Sequence, residues 1–322
     1  MIEVRELTKY FGRIRAVDRV SFSIRRGEAV GLLGPNGSGK TTLMRILTGF
    51  FPPTSGHASV GGCDVQKDSL GVRRRLGYVP EHVILYPDLP VRRFLAFVAD
   101  VKGIDRSRQR ARVEEVIASC GLESMERRLI GKLSRGYRQR VAIAQALISD
   151  PEVLILDEPT VGLDPRQAIE IRSLIRGLGG PRTILLSTHI LPEVSLLCGR
   201  VIIVDGGRIV AEDTAEALAR RIEGVSRTLI RVDGPPDAVA AAVLELDGVE
   251  HVEPAAESPS DPSYGGCALV VVSKEGETTR REIAAVVVRR GWGLLEVRPL
   301  EPSLEELFVR LLGAERRTGG NA

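Results

Sequence analysis

A chain of 322 residues is longer than one hydrophobic core ordinarily accommodates, so one large domain joined to a smaller one is expected. Its 45 basic and 42 acidic residues leave a formal charge of +3, too even for a nucleic-acid-binding footprint, and no nucleic-acid partner is expected. Four scattered cysteines, Cys63, Cys120, Cys198 and Cys267, have neither CxxC nor Cys/His spacing, which argues against zinc and for reduced, buried thiols in a cytosolic protein.

Met1 leads straight into alternating sequence, without the basic and then apolar stretch of a secretory signal. No stretch approaches the roughly 18 to 20 uninterrupted apolar residues of a membrane-spanning helix, so membrane work would fall to a partner. Residues Ile2 to Ile24 read as two strands around Gly12-Arg13, and Glu28 to Leu33 as a short strand buried on both faces. Gly34 to Gly39 break that strand, and Thr41 to Thr48 carry helical spacing through Leu43, Ile46 and Leu47. Val91 to about Leu129 is helical and strongly charged, with one break at Gly103-Ile104-Asp105, and reads as an inserted helical subdomain. A helix from about Gly136 to Ser149, the buried strand Val153 to Leu156, a helix after Pro165 and the strand Thr183 to Leu186 follow; this alternation implies a mainly parallel sheet covered by helices.

Beyond a polar stretch near Arg220 to Ser226, the order is strand (Thr228 to Val232), helix (Pro236 to Leu246), strand (Val249 to Glu253), strand (Ala268 to Val272), helix (Thr278 to Arg290) and strand (Leu294 to Arg298). That is a ferredoxin-like βαββαβ order. A last helix, Ser303 to Leu312, would carry Leu304, Leu307, Phe308 and Leu311 on one face; the stretch Pro254 to Gly266 reads as a loop and the end as a disordered tail.

Chemistry concentrates first in Gly34-Pro35-Asn36-Gly37-Ser38-Gly39-Lys40-Thr41-Thr42. Small residues let the backbone curl so that several N–H groups face a phosphate, and the following helix presents its positive end there. Lys40 adds a mobile charge for the β and γ oxygens, and the Thr41 hydroxyl suits Mg²⁺. The strand from Val153 ends in Asp157-Glu158, at the carboxyl edge where open α/β sheets take ligands. Asp157 suits Mg²⁺ or its water and Glu158 an attacking water; alone such a pair is commonly a turn, and its place downstream of a phosphate loop favours the catalytic reading.

Leu133-Ser134-Arg135-Gly136-Tyr137-Arg138-Gln139-Arg140-Val141-Ala142 resembles the signature motif of ABC ATPases, and roughly Met1 to Leu218 follows the family order of motifs. The resemblance implies an α/β P-loop ABC ATPase core with N-terminal antiparallel strands, using ATP and Mg, followed by the small α+β ferredoxin-like domain. It assigns adenine stacking to Phe11, with Tyr10 beside it as an alternative and a core aromatic as the plainer reading. It makes His189 in Ser187-Thr188-His189 the switch histidine, although a lone histidine is commonly structural. Asp164 in Gly162-Leu163-Asp164 matches the D-loop and also reads as an ordinary cap before Pro165. The family implies a head-to-tail homodimer or heterodimer in which Leu133 to Tyr137 meet the partner's ATP, with Ser134, the Gly136 amide and the helix that follows supplying donors.

Two departures stand out. Tyr78-Val79-Pro80-Glu81 ends in glutamate where glutamine is common; Glu81 can still bind Mg²⁺ but lacks the amide donor. Arg135 and Tyr137 replace a glycine and a glutamine, and the direction of Arg135 is left open. With Tyr86-Pro87-Asp88, these segments look like the branch serving drug, antibiotic, polysaccharide or gliding-related exporters, whose integral membrane permease is commonly a separate chain. The expected plan is an ATPase domain at 1–218 with its helical subdomain at about 86–148, a linker at 219–226, an accessory domain at 227–313 and a tail at 314–322, acting at the cytoplasmic face of the cell membrane. The accessory domain shows no concentrated polar site, so a structural or dimer-reinforcing role is expected, with regulator binding or a permease contact as alternatives. A soluble ABC ATPase of translation or DNA repair is the runner-up function; such proteins tend to carry two motif sets or a long coiled coil, and this chain has one set and no such insertion. An oxidoreductase is disfavoured because Gly37-Ser38-Gly39-Lys40-Thr41-Thr42 lacks the last glycine of GxGxxG.

Overall fold

Alternating buried and exposed residues, interrupted where the register shifts, make β1 (Ile2–Phe11) and β2 (Ile14–Ile24) an antiparallel pair turning at residues 12 and 13. The computed structural model describes residues 1–214, 217, 226–255, 266–274 and 276–300. Its two compact units are Met1–Ala215 and Glu216–Ala322.

In the first unit, β1 and β2 join β4 (Ser55–Val60) and β5 (Cys63–Asp64) in a four-stranded sheet of order β2-β1-β4-β5. The second sheet contains β3 (Ala29–Leu33), β6 (Leu76–Val79), β7 (Val153–Asp157), β8 (Thr183–Thr188), β9 (Arg200–Asp205) and β10 (Arg208–Asp213), in the order β10-β9-β3-β8-β7-β6. All pairs there are parallel except the antiparallel edge strand β10. Every residue of β7 and β8 is buried, as expected of strands covered on both faces. The register sets Leu33 opposite Thr188 and Asp157 opposite Ser187, so β3, β8 and β7 end at one edge.

Helices α1 (Lys40–Leu47), α2 (Ser69–Arg75), α3 (Val91–Val101), α4 (Arg106–Ser119), α5 (Arg135–Leu147), α6 (Pro165–Leu178) and α7 (Leu191–Leu197) complete this unit. The helical reading of residues 91–129 ran too far. Helix α4 stops at Ser119 because Gly121 takes φ +62°, and short 3₁₀ turns, Glu123–Met125 and Ile130–Lys132, carry the chain on to α5.

The second unit contains β11 (Ser226–Asp233), α8 (Pro236–Leu244), β12 (Val249–Pro254), β13 (Cys267–Ser273), α9 (Gly276–Arg289) and β14 (Gly293–Leu300). Its antiparallel sheet has the order β12-β13-β11-β14, the ferredoxin-like arrangement in which the first and third strands are central. Ile230, Val232, Leu269 and Val271 pack against Val239, Val243, Ile283 and Val287 of the two helices to form its core. The expected helix Ser303 to Leu312 with its Leu304, Leu307, Phe308 and Leu311 stripe, the tail at 314–322 and the linker at 219–226, apart from Ser226, lie outside the described residues.

Cys63, Cys120 and Cys198 are buried free thiols, and burial pushes those of Cys120 and Cys198 up to about 12. Cys267 is only half-buried, because it stands at the first residue of β13. Among the described residues, no helix is long and apolar enough to cross a membrane.

Candidate functional site

The loop after β3 turns back on itself through two glycines in left-handed geometry, Gly37 at φ +81° and Gly39 at φ +107°. A Cβ on Gly39 would collide with the Ala16 carbonyl, so side chains are excluded there on two counts. Helix α1 begins at Lys40 with no side-chain cap, which leaves its first N–H groups facing the loop. The Lys40 ammonium, 5 % exposed, donates to the Gly34 carbonyl at 2.8 Å and the Pro35 carbonyl at 3.0 Å. Burial holds Lys40 below its ordinary pKa, against the opposing fields of Glu158, Asp157 and Glu81.

The carboxylates meet this loop at the ends of β7 and β8. Asp157 Oδ1 accepts from Ser187 Oγ at 2.6 Å and from Thr41 Oγ1 at 3.3 Å. The Glu158 amide donates to the Ser187 hydroxyl at 3.0 Å and carbonyl at 3.2 Å, so one serine orients both acidic residues. Glu158 Oε2 lies 3.0 Å from His189 Nδ1, and its Oε1 lies 3.7 Å from Lys40 Nζ. Glu158 takes φ +49°, a left-handed conformation that costs a non-glycine residue about 1–3 kcal/mol. Burial raises the pKa of its carboxyl, opposed by His189 and Lys40.

Ser38 Oγ, Asp157 Oδ2 and Glu158 Oε1 are buried without a hydrogen-bond partner. Orphaned polar atoms in the loop and on the carboxylates, with a lysine hydrogen-bonded to loop carbonyls and ion-paired to Glu158, are what a site for a phosphate chain and its cation requires. The residues present therefore fit Mg-ATP, with Thr41 and Asp157 as the oxygen donors for the metal.

Phe11 ends β1 and is 41 % exposed, with its ring edge-on to Phe51 at 5.4 Å between centroids and Lys9 Nζ 5.2 Å from its own centroid. Phe51 and its neighbour Phe50, 4.9 Å apart, extend this aromatic surface; the sequence reading passed over both. Tyr10 is equally exposed. Glu81, just past β6, is exposed, lies 3.8 Å from His82 and acts on Lys40 through its charge.

The signature segment lies apart from these groups. Among the described residues no hydrogen bond or ion pair joins residues 133–137 to residues 34–42. Leu133 is buried, and Ser134 caps α5 by accepting from the Tyr137 amide at 3.4 Å. Gly136 is buried against the Gln167 side chain on α6. Arg135 turns toward its own chain: Nη2 donates to the Val161 carbonyl at 3.0 Å, and the guanidinium lies against Gly162. Asp164 caps α6, accepting from the Gln167 amide at 2.9 Å, with Pro165 as the first helical residue. A cavity of about 220 Å³ between α5 and α6 is lined by Ser134, Gly136, Tyr137, Asp164 and Gln167.

Ser187 is the orienting residue that sequence reasoning missed; its place beside Thr188-His189 at the end of β8 was the available signal.

The family model described as "ABC transporter" matches residues 17–161. The linearmycin resistance ATP-binding protein of Bacillus subtilis is 33% identical over 98% of this chain and 100% of its own length. The daunorubicin resistance ATP-binding protein of Streptomyces coeruleorubidus is 35% identical over 98% and 97%. Among solved structures, a dimeric, post-hydrolysis ATP-binding cassette bound to ADP and Pi matches with a TM-score of 0.60 and 27% identity, covering 67% of this chain and 99% of that one. Likeness to the two resistance proteins reaches past the cassette into the second unit, and on that ground the chain belongs to the ABC transporter family as an ATP-binding subunit.

Proposed function

We propose that two copies of this chain form the engine of an exporter, hydrolysing ATP to move a drug- or antibiotic-like small molecule through a separate integral membrane permease at the cytoplasmic face of the membrane. The observation that carries this reading is the contact of Glu158 with His189 at 3.0 Å beside Lys40 at 3.7 Å. The resistance functions named for the relatives support export, and nothing favours the translation or DNA-repair alternative.

In this reading Lys40 exchanges its bonds to the Gly34 and Pro35 carbonyls for phosphate oxygens, and the backbone of residues 34–39 wraps the phosphates. Thr41 and Asp157, with Glu81 as a further candidate, would hold a magnesium ion, which would neutralise charge on the phosphate oxygens. Glu158 accepts the proton of the attacking water, and His189 keeps that carboxylate from rotating away. Phe11, with Phe51 behind it, offers a face to adenine. Each chain carries both a phosphate loop and a signature, so a second copy suffices to complete two sites. The second unit serves a structural or dimer-reinforcing role.

The test is Glu158→Gln in the full chain. Turnover is expected to fall about 100-fold or more while nucleotide binding is retained, since a positioned base contributes 10²–10⁴-fold. In the wild type, kcat/KM reports the free protein; it should fall with acid at a midpoint above the ordinary carboxyl value of 4.5, because burial raises Glu158 and only its ionised form accepts a proton. Undiminished hydrolysis by the glutamine variant refutes the assignment.

A further inference from the structure

One buried carboxylate has no part in the scheme above. Glu193 on α7 is 3 % exposed. Its Oε2 accepts from Thr160 Oγ1 at 2.7 Å and from Thr188 Oγ1 at 3.1 Å, and its Oε1 accepts from Arg172 Nη1 at 3.3 Å. These partners come from three separate segments. Thr160 follows Glu158 by two residues, Thr188 immediately precedes His189, and Arg172 lies on α6, the helix capped by Asp164. Thr188 Oγ1 also accepts from the Ile190 amide at 3.1 Å, so the backbone on both sides of His189 is tied to the same network.

The approach of α7 to the sheet is built in by Gly31 of β3, where any Cβ would collide with Val194 of α7. Val194 is fully buried, and its neighbour Glu193 is thereby delivered to the ends of β7 and β8. A buried ion pair adds little net stability over a well-packed apolar replacement, so stability alone is a weak reason for a carboxylate here. Fully satisfied buried networks do fix geometry, and this one spans the two segments whose contact at 3.0 Å makes the hydrolytic pair.

We infer that Glu193 is a positioning residue for hydrolysis, an inference that rests on the catalytic reading of Glu158 and His189. Through Thr160 it holds the turn after Glu158, through Thr188 it holds the entry to His189, and through Arg172 it ties both to α6. All its described hydrogen bonds go to protein side chains, and it acts through them.

The experiment uses the full chain, with single-turnover Mg-ATP hydrolysis for rate and a fluorescent nucleotide titration for affinity. Glu193→Gln is expected to lower the hydrolytic rate about 10-fold with affinity unchanged within about 2-fold, a loss typical of modest misplacement of reacting groups. In a His189→Ala background the same substitution should cost less than it does in the wild type, because the tie through Thr188 has nothing left to position and only the tie through Thr160 to the Glu158 turn still acts. An unchanged rate for Glu193→Gln, an equal loss in both backgrounds, or a loss confined to affinity overturns the inference. If His189→Ala alone leaves the rate intact, the catalytic reading fails instead, and the two failures are told apart. Should Glu193→Gln fail to fold by circular dichroism, Thr188→Val carries the same test, since it removes the two bonds of the Thr188 hydroxyl beside His189 and leaves those of Glu193 to Thr160 and Arg172 in place.

Discussion

Lys40, Asp157 and Glu158 are 5 %, 0 % and 7 % exposed, and each is held by backbone or side-chain groups of its own chain. Ser134 and Arg135, on the signature side, lie at the surface, and among the described residues their polar groups meet the start of α5 and the segment at Val161-Gly162. One side of the unit is thus a buried cluster that keeps polar atoms without a hydrogen-bond partner. The other presents the end of a helix outward, where a ligand held by another molecule can reach it. Nucleotide binding should therefore be a property of the single chain, and hydrolysis a property of two.

The sharpest way to break this contrast is Lys40→Ala. It removes a charge-assisted contact and leaves Glu158 and Asp157 without their cation, so nucleotide affinity of the single chain should weaken about 10- to 100-fold in a fluorescence titration. Ser134→Ala acts on the other side. It should leave the single chain's affinity unchanged while lowering the hydrolysis rate about 10-fold, with a further loss of about 0.5–2 kcal/mol in unfolding free energy from the missing cap. Arg135→Ala is expected to do least. Because its guanidinium serves its own chain at an exposed site, denaturant unfolding should shift by at most about 1 kcal/mol, and nucleotide affinity should not change. A large loss of nucleotide affinity in Arg135→Ala would show that the signature side is not the outward surface described.

Much of this could be read from the sequence wherever the relevant physics is local. The phosphate loop announces itself because a strand, close-set glycines and a helix follow one another, and Asp157-Glu158 because a buried strand ends in charge. The second unit was legible because alternating and helical periods change cleanly over residues 226–300. What escaped depends on distance along the chain. Glu193 and Thr160 are 33 positions apart and meet only because β7 and β8 end side by side. Arg135 and Val161 are 26 apart, so the direction of that arginine could not be inferred before α5 and α6 were placed. Strands β5 and β6 were passed over for another reason. Short strands next to turns, such as the four residues of β6, give too few periods to separate from loop.

Completion of the site by a second copy can be read from the mass of Glu158→Gln by sedimentation equilibrium with and without Mg-ATP. The single-chain mass is expected without nucleotide and twice that mass with it, the doubling being lost when Ser134→Ala is added. A single-chain mass at saturating ATP, with nucleotide bound, would contradict completion by a second copy.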